Sequence, residues 1–327
     1  MSKFGRRCKG IHCGSTAQDG TTIFWRVVEA QDACFSSPLL VVVNGLANDQ
    51  SQWAEYFRGW EGRFSYLYWD YRGHGLTPRP LNPERLTINS QSRDLQLVLQ
   101  EAFRETRLDL ERPVVLVAYS LGTQVALEWS ARHCSGGGSS WQPRVAGIIS
   151  ILGTSGRVLD AFAGRWGILS RALEAAVRSA PSWLLGALSR VPSRLPRLSY
   201  RVMVLTGLGE AGVSYGTAVS WARHLAAMDP DSFRSFLLAA QAHSLDEDTL
   251  SRIDAPVLVV SGGRDVFSPP VHSERLVRGL RRARRLHLEA ASHMGLAGHA
   301  TVLLEAIKDF VKDLQAETPG VPSGRSR

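Results

Sequence analysis

Apolar positions along the chain fall into short β-branched runs separated by stretches with helical spacing. That is the pattern of a mostly parallel sheet covered by helices on both faces. The runs predict strands over Thr22–Val28, Leu39–Val43, Tyr66–Trp69, Val114–Ala118, Val145–Leu152, Val257–Ser261 and Arg285–Leu288. Helices are predicted at about 51–59, 88–106, 121–133, 271–282 and 299–315. From about Thr154 to Ile253 the alternation stops. Amphipathic stretches such as LSRALEAAVR and YGTAVSWARHLAAM, broken by Pro181, Pro192, Pro196 and Pro230, predict a helical insertion on the sheet domain. The expected organisation is a flexible N-terminal segment (1–20), a core domain (21–153 and 254–315), a helical cap (154–253) and a disordered tail (316–327). Ser135–Pro143 (SGGGSSWQP) reads as a surface loop, and there is no internal repeat.

A chain of 327 residues fits one large α/β domain with an insertion. With 44% apolar residues and no apolar run near the roughly 18 residues of a membrane span, it reads as a globular protein without membrane insertion. The N-terminus has basic residues but no following apolar stretch, so no signal peptide is expected and a cytoplasmic location is the default expectation. Four cysteines, Cys8, Cys13, Cys34 and Cys134, show no paired framework and fit a reducing compartment. Cys8, His12 and Cys13 lack a second ligand pair at zinc spacing, so no metal is expected there.

The net charge of +8 raises the question of an anionic partner. Only Lys3, Lys9, Lys308 and Lys312 are lysines, and the arginines are scattered rather than gathered into a patch, which argues against nucleic acid. The dense run Arg278–Arg285 (RGLRRARR) is expected to be the solvated face of a helix.

The most informative stretch is Pro113–Trp129: an apolar strand, then Ala118-Tyr119-Ser120-Leu121-Gly122, then a helical pattern. A nucleophilic serine needs a strained strand-to-helix turn, with small residues two before and two after it so that strand and helix approach without clash. Ala118 and Gly122 stand at those positions. Ser120 at the helix start also aims the Leu121 N–H at a developing oxyanion. Upstream, Val43-Asn44-Gly45-Leu46 ends an apolar strand, and Leu46 is the expected second backbone donor; an ordinary strand-ending turn is the alternative. Asp70-Tyr71-Arg72-Gly73-His74-Gly75 reads as a structural turn, with the His74 imidazole bonded locally.

Serine needs a base held by an acid. Asp265 lies just past the run Val257–Ser261 on a Gly-rich loop, and His293 lies just past the next strand. Both fall at the carboxyl ends of neighbouring strands, the edge where open α/β sheets build sites. Asp246, Glu247 and Asp248 read as a helix cap; His243 falls in the insertion, His287 within a strand and His299 at the start of the last helix. No carboxylate follows Leu152 before Asp160, which favours Asp265 as the acid.

These motifs, in this order and over about Thr22–Leu314, resemble the α/β-hydrolase superfamily, with Asn44 standing where that family commonly has histidine. The resemblance implies an eight-stranded sheet, its first strand weak or inside the N-terminal segment, and a helical lid after the sixth strand. It also implies a serine hydrolase with Ser120 as nucleophile, His293 as general base, Asp265 orienting the base, and Leu46 and Leu121 N–H groups as the oxyanion hole. No cofactor or metal is called for. Ser120 argues against the dehalogenase and epoxide chemistry that an aspartate there would imply. The expected activity is hydrolysis of a carboxylic ester of a small or medium acyl substrate, a small molecule, through an acyl-enzyme. The alternatives are other chemistry with the same triad, that of a thioesterase, a carbon–carbon bond hydrolase or a haloperoxidase-like enzyme, or a non-catalytic binding protein on this fold. Trp166, Trp183, Leu184, Leu185, Trp221 and Phe233 are candidates to line an acyl pocket or to pack the lid, and a homodimer is possible on this reading.

Overall fold

The computed structural model describes residues 11–17, 19–30, 37–57, 64–106, 108–134, 143–160, 167–206, 208–210 and 212–317. The side chains of His12 and Cys13, the other three cysteines' side chains, Trp166, and residues 135–142 of the expected loop lie outside what is described.

Five runs of five to seven residues are wholly or largely buried: β3 (Leu39–Val43), β4 (Ser65–Trp69), β5 (Val114–Tyr119), β6 (Val145–Ile151) and β7 (Val257–Gly262). Such continuous burial follows from helices on both faces of a parallel sheet. With β1 (Ile11–Thr16), β2 (Thr22–Val28) and β8 (Ala283–Leu288) they form one eight-stranded sheet in the order β1-β2-β4-β3-β5-β6-β7-β8. The β1/β2 and β2/β4 pairs are antiparallel, and all others are parallel. Alternate residues of each strand serve opposite layers. Leu39, Val41, Leu116 and Val259 pack against α2 (Ile88–Thr106) and α3 (Leu121–Cys134). Leu40, Val42, Val117 and Val260 pack against α1 (Gln50–Tyr56) and the last helix, Ala300–Glu317.

Between β6 and β7 the chain builds α4 (Gly167–Ser179), α5 (Ser182–Arg194), α6 (Pro196–Leu205), α7 (Tyr215–Ala227), α8 (Pro230–Ala242) and α9 (Glu247–Ser251). Pro196 and Pro230 occupy first-turn positions, where a missing N–H does no harm. Pro192 lies inside α5 rather than breaking it, two residues before the helix ends. Asp246 caps α9 by accepting the Thr249 N–H. After β7 come α10 (Pro270–Gly279), the short α11 (Gly295–Gly298) and α12 (Ala300–Glu317).

Three expectations are corrected. Residues 11–16 of the expected flexible segment are strand β1, held by its full register with β2, including Ile11 opposite Val27. Ala316 and Glu317 of the expected tail extend α12, where Glu317 pairs with Arg282. Arg278–Arg285 is not one helix face: it spans the end of α10, a turn and the edge strand β8. The arginines there are exposed, and four of them are ion-paired, Arg281 with Asp254, Arg282 with Glu317, Arg284 with Asp313 and Arg285 with Glu274, which also charges the exposed sheet edge.

Candidate active site

Ser120 sits between the last residue of β5 and the first of α3 with φ 53°, a left-handed conformation that a non-glycine residue adopts only when its surroundings enforce it. The enforcement is visible: its N–H donates to the Ile151 carbonyl (2.9 Å) and its carbonyl accepts from the Thr123 N–H (3.0 Å). Gly122 lets α3 start this close to the sheet. A Cβ there would stand 2.1 Å from the Val43 carbonyl oxygen and 2.7 Å from that of Asn44. The turn aims the Ser120 hydroxyl out of the sheet edge, 2.9 Å from His293 Nε2.

His293 lies in the loop after β8, and its Nδ1 is 2.9 and 3.0 Å from the two carboxylate oxygens of Asp265. Asp265, buried after β7, also accepts the N–H groups of Phe267 and Ser268 on Oδ1, both at 2.9 Å. These bonds leave the carboxylate one orientation, facing the imidazole. The two loops are stitched together: Gly263 N–H donates to the Leu288 carbonyl and Arg264 N–H to that of Ala291. Gly263 permits the approach, since a Cβ there would fall 2.4 Å from the Glu289 carbonyl oxygen. The structure thus brings together Ser120, His293 and Asp265, which are far apart in sequence.

Leu46 and Leu121 line the same cavity as Ser120. Leu121 opens α3, where first-turn N–H groups have no partner within the helix. The loop carrying Leu46 is held from behind. Ala47, at φ 61°, donates its N–H to His74 Nε2 (3.2 Å), and His74 Nδ1 faces the Arg72 carbonyl at 3.2 Å. His74 is therefore a buried, neutral imidazole protonated on Nδ1, and burial pushes its pKa down to about 4. Asn44 uses its side-chain amide to donate to the Trp69 carbonyl (2.6 Å), while the Tyr71 hydroxyl donates to the Asn44 carbonyl (2.8 Å). Asp70 accepts from the Gln50 backbone and side chain and from the Leu76 N–H, and burial raises its pKa to about 6. The Asp70–Gly75 segment is thus a scaffold under the loop.

Three further histidines are engaged elsewhere. His243 meets Glu128 on α3 at 3.1 Å, and His287 sits 2.9 Å from Ser261 Oγ and 3.1 Å from Glu289. His224 on α7 pairs with Asp49, just past the Leu46 loop, at 2.8 Å, and that bond raises its pKa.

A cavity of about 310 Å³ lies between the sheet edge and the insertion, with Ser120 and His293 in its wall. Of the residues offered for pocket lining or lid packing, Trp221 and Phe233 line it, together with Leu173, Val177, Met203 and Leu237. Trp183 does not: it is 72% exposed on the outside of α5, and Leu184 and Leu185 are absent from the described lining.

Two supports of the site escape a reading by motif. The Tyr119 hydroxyl donates to the His293 carbonyl (2.6 Å), and its ring and that of Phe267 flank the imidazole at centroid distances of 5.7 and 4.9 Å. Glu210, buried in the insertion, accepts the Ser292 N–H at 2.6 Å and lies 3.3 Å from His299 Nε2. Next to it, the Met294 N–H donates to the Leu208 carbonyl. The available signal was that Glu210 is the one carboxylate between Glu174 and Asp229.

Comparison with known proteins gives a consistent picture. The family model for the alpha/beta hydrolase fold matches residues 38–300. A pimeloyl-[acyl-carrier protein] methyl ester esterase of Neisseria meningitidis is 39% identical over 77 residues, 24% of this chain and 23% of the relative. The match therefore spans about a quarter of the curated relative's length. An esterase from Exiguobacterium antarcticum superposes with a TM-score of 0.68 at 15% identity, over 92% of this chain and 100% of the other. The enol-lactonase of Burkholderia xenovorans does so with 0.64 at 18% identity, over 92% and 100%. At these identities the structural likeness is one of fold.

Proposed function

The chain belongs to the alpha/beta hydrolase fold family, and from that premise we propose that it is a serine hydrolase cleaving carboxylic esters of small or medium acyl groups through an acyl-enzyme. The observation that carries this reading is the continuous chain of contacts from Ser120 Oγ to His293 Nε2 and from His293 Nδ1 to Asp265, at the wall of an apolar cavity.

The chemistry follows from the geometry. His293 Nε2 accepts the Ser120 proton as Oγ attacks the ester carbonyl, and the Leu46 and Leu121 N–H groups stabilise the oxyanion. Collapse of the tetrahedral intermediate expels the alcohol, which takes the proton from His293. Water, deprotonated by the same imidazole, then attacks the acyl-enzyme, and collapse breaks the acyl–Oγ bond, releasing the acid as His293 returns its proton to Ser120 Oγ. Asp265 holds the proton-bearing Nδ1 and stabilises the imidazolium. A single donor in such a hole is worth about 100- to 1000-fold in kcat. The insertion serves as a lid whose apolar side chains receive the acyl chain, and its Glu210 is a positioning residue for the His293 loop. The cavity lining offers no arginine or lysine among the described residues, which favours uncharged acyl groups. The partial match to a methyl ester esterase supports ester chemistry in the same direction.

The test is hydrolysis of p-nitrophenyl esters across acyl lengths. Turnover that peaks at short to medium chains and vanishes in Ser120→Ala supports the reading. Wild-type protein that turns over no ester yet acylates at Ser120 with other carbonyl substrates would move it to another acyl or carbon–carbon bond hydrolase.

A further inference from the structure

The outside of the insertion carries chemistry that the cavity does not use. From Ala175 to Gly209 the chain has five arginines, Arg178, Arg190, Arg194, Arg197 and Arg201, and no aspartate or glutamate. Helices α5 and α6 turn the last four of these to solvent. Interleaved with them along the two helices and at the Leu195 link between them stand Trp183, Leu188, Leu195, Leu198 and Leu205, from 52% to 85% exposed. The opposite faces pack inward, α5 on α7 and α8, and α6 on α7. A folded chain rarely leaves so many large apolar side chains together in water.

We propose that this face adsorbs in-plane to an anionic phospholipid surface, apolar side chains at the acyl boundary and guanidinium groups on lipid phosphates. Charge complementarity selects the anionic surface, since the segment is purely cationic. The interleaving selects lipid over an acidic protein, because a bilayer interface accepts leucine, tryptophan and long arginine stems side by side. At 13 and 10 residues the helices are too short to span a bilayer, so the contact is peripheral. The inference stands apart from the esterase reading, because none of these side chains is among those described lining the cavity.

Co-sedimentation of the full chain with vesicles of phosphatidylcholine alone, and of phosphatidylcholine mixed with phosphatidylglycerol, tests it. Binding should appear on the mixed vesicles, fall with added salt, and drop about fivefold for each arginine neutralised. Arg194→Gln/Arg197→Gln should therefore lose about 25-fold, with Arg194→Lys/Arg197→Lys keeping most of it, and Trp183→Ser should weaken binding. Circular dichroism checks that each variant is folded. Hydrolysis of a soluble ester should be unchanged in all of them, which separates failure of this inference from failure of the proposed activity. Absence of binding to both vesicles, equal binding to both, or binding only to soluble poly-glutamate would overturn it, the last by assigning the face to an acidic polypeptide.

Discussion

Replacing Gly122 by alanine perturbs fold and chemistry through one methyl group. The added Cβ would stand 2.1 Å from the Val43 carbonyl oxygen and 2.7 Å from that of Asn44. A relaxed carbon–oxygen approach is about 3.3 Å or longer, so the end of β3 must retreat by roughly 1 Å relative to α3. That segment leads directly into Leu46, while α3 begins with Leu121, so the two proposed oxyanion donors move apart. A misplacement of about 1 Å in a preorganised site lowers the rate about 100-fold. Overpacking at so tight a contact lowers stability by about 1–3 kcal/mol, and at about 2–4 °C per kcal/mol the melting temperature should fall by several degrees. Steady-state kinetics on the best p-nitrophenyl ester, with differential scanning calorimetry of both proteins, read the two effects. The fall should be in kcat, with KM little changed, because the donors act on the transition state. Gly122→Ala with kcat within twofold of wild type and an unshifted melting temperature would refute the idea that this contact sets the hole.

His74 gives a pH signature of stability. The folded imidazole stays neutral down to about pH 4, whereas the unfolded chain's histidine takes a proton below about 6.5, so its contribution is full above 6.5 and lost on acidification to 4, at up to about 1.4 kcal/mol per pH unit. Asp70, raised to about 6, acts in the opposite sense, because its ionisation between about pH 4 and 6 weakens the fold as pH rises. The gap in stability between wild type and His74→Gln isolates the histidine, and urea melts should show it widening from pH 4 to 6.5; a pH-independent gap would sink the assignment. Glu210→Ala should lower kcat by about 10- to 100-fold with KM nearly constant, and Glu210→Gln, which keeps an acceptor for the Ser292 N–H, should recover much of it; a full-rate alanine variant would remove Glu210 from the positioning role.

Where side-chain pattern and local backbone agree, the chain was readable from its residues alone. Leu39–Val43 and Ile88–Thr106 fall at the expected bounds because their apolar spacing matches their burial. The meeting of Ser120, Asp265 and His293 was legible because each follows a strand of a parallel sheet, and such a sheet brings all its carboxyl ends to one edge. What escaped was non-local. The place of β1, expected only as a first strand that is weak or inside the N-terminal segment, could not be read because it has little apolar signal of its own and exists through its ladder with β2. The Arg278–Arg285 run was read as one helix face, yet it ends in edge strand β8, which pairs with β7 from Ala283, two residues before the predicted start at Arg285. Trp183 was a candidate by type for pocket lining or lid packing, and the packing of α5 on α7 turns it outward instead. Glu210 supports the His293 loop across 82 residues of sequence, a contact that only the folded insertion makes.

The most direct measurement of the central claim is covalent labelling with a fluorophosphonate probe followed by peptide mass spectrometry, on wild type, Ser120→Ala and His293→Ala. A phosphonylated Ser120 in wild type, no labelling in Ser120→Ala and strongly slowed labelling in His293→Ala is the expected result. Folded wild-type protein that resists the probe, or that reacts at a residue other than Ser120, would contradict the assignment of Ser120 as a nucleophile activated by His293.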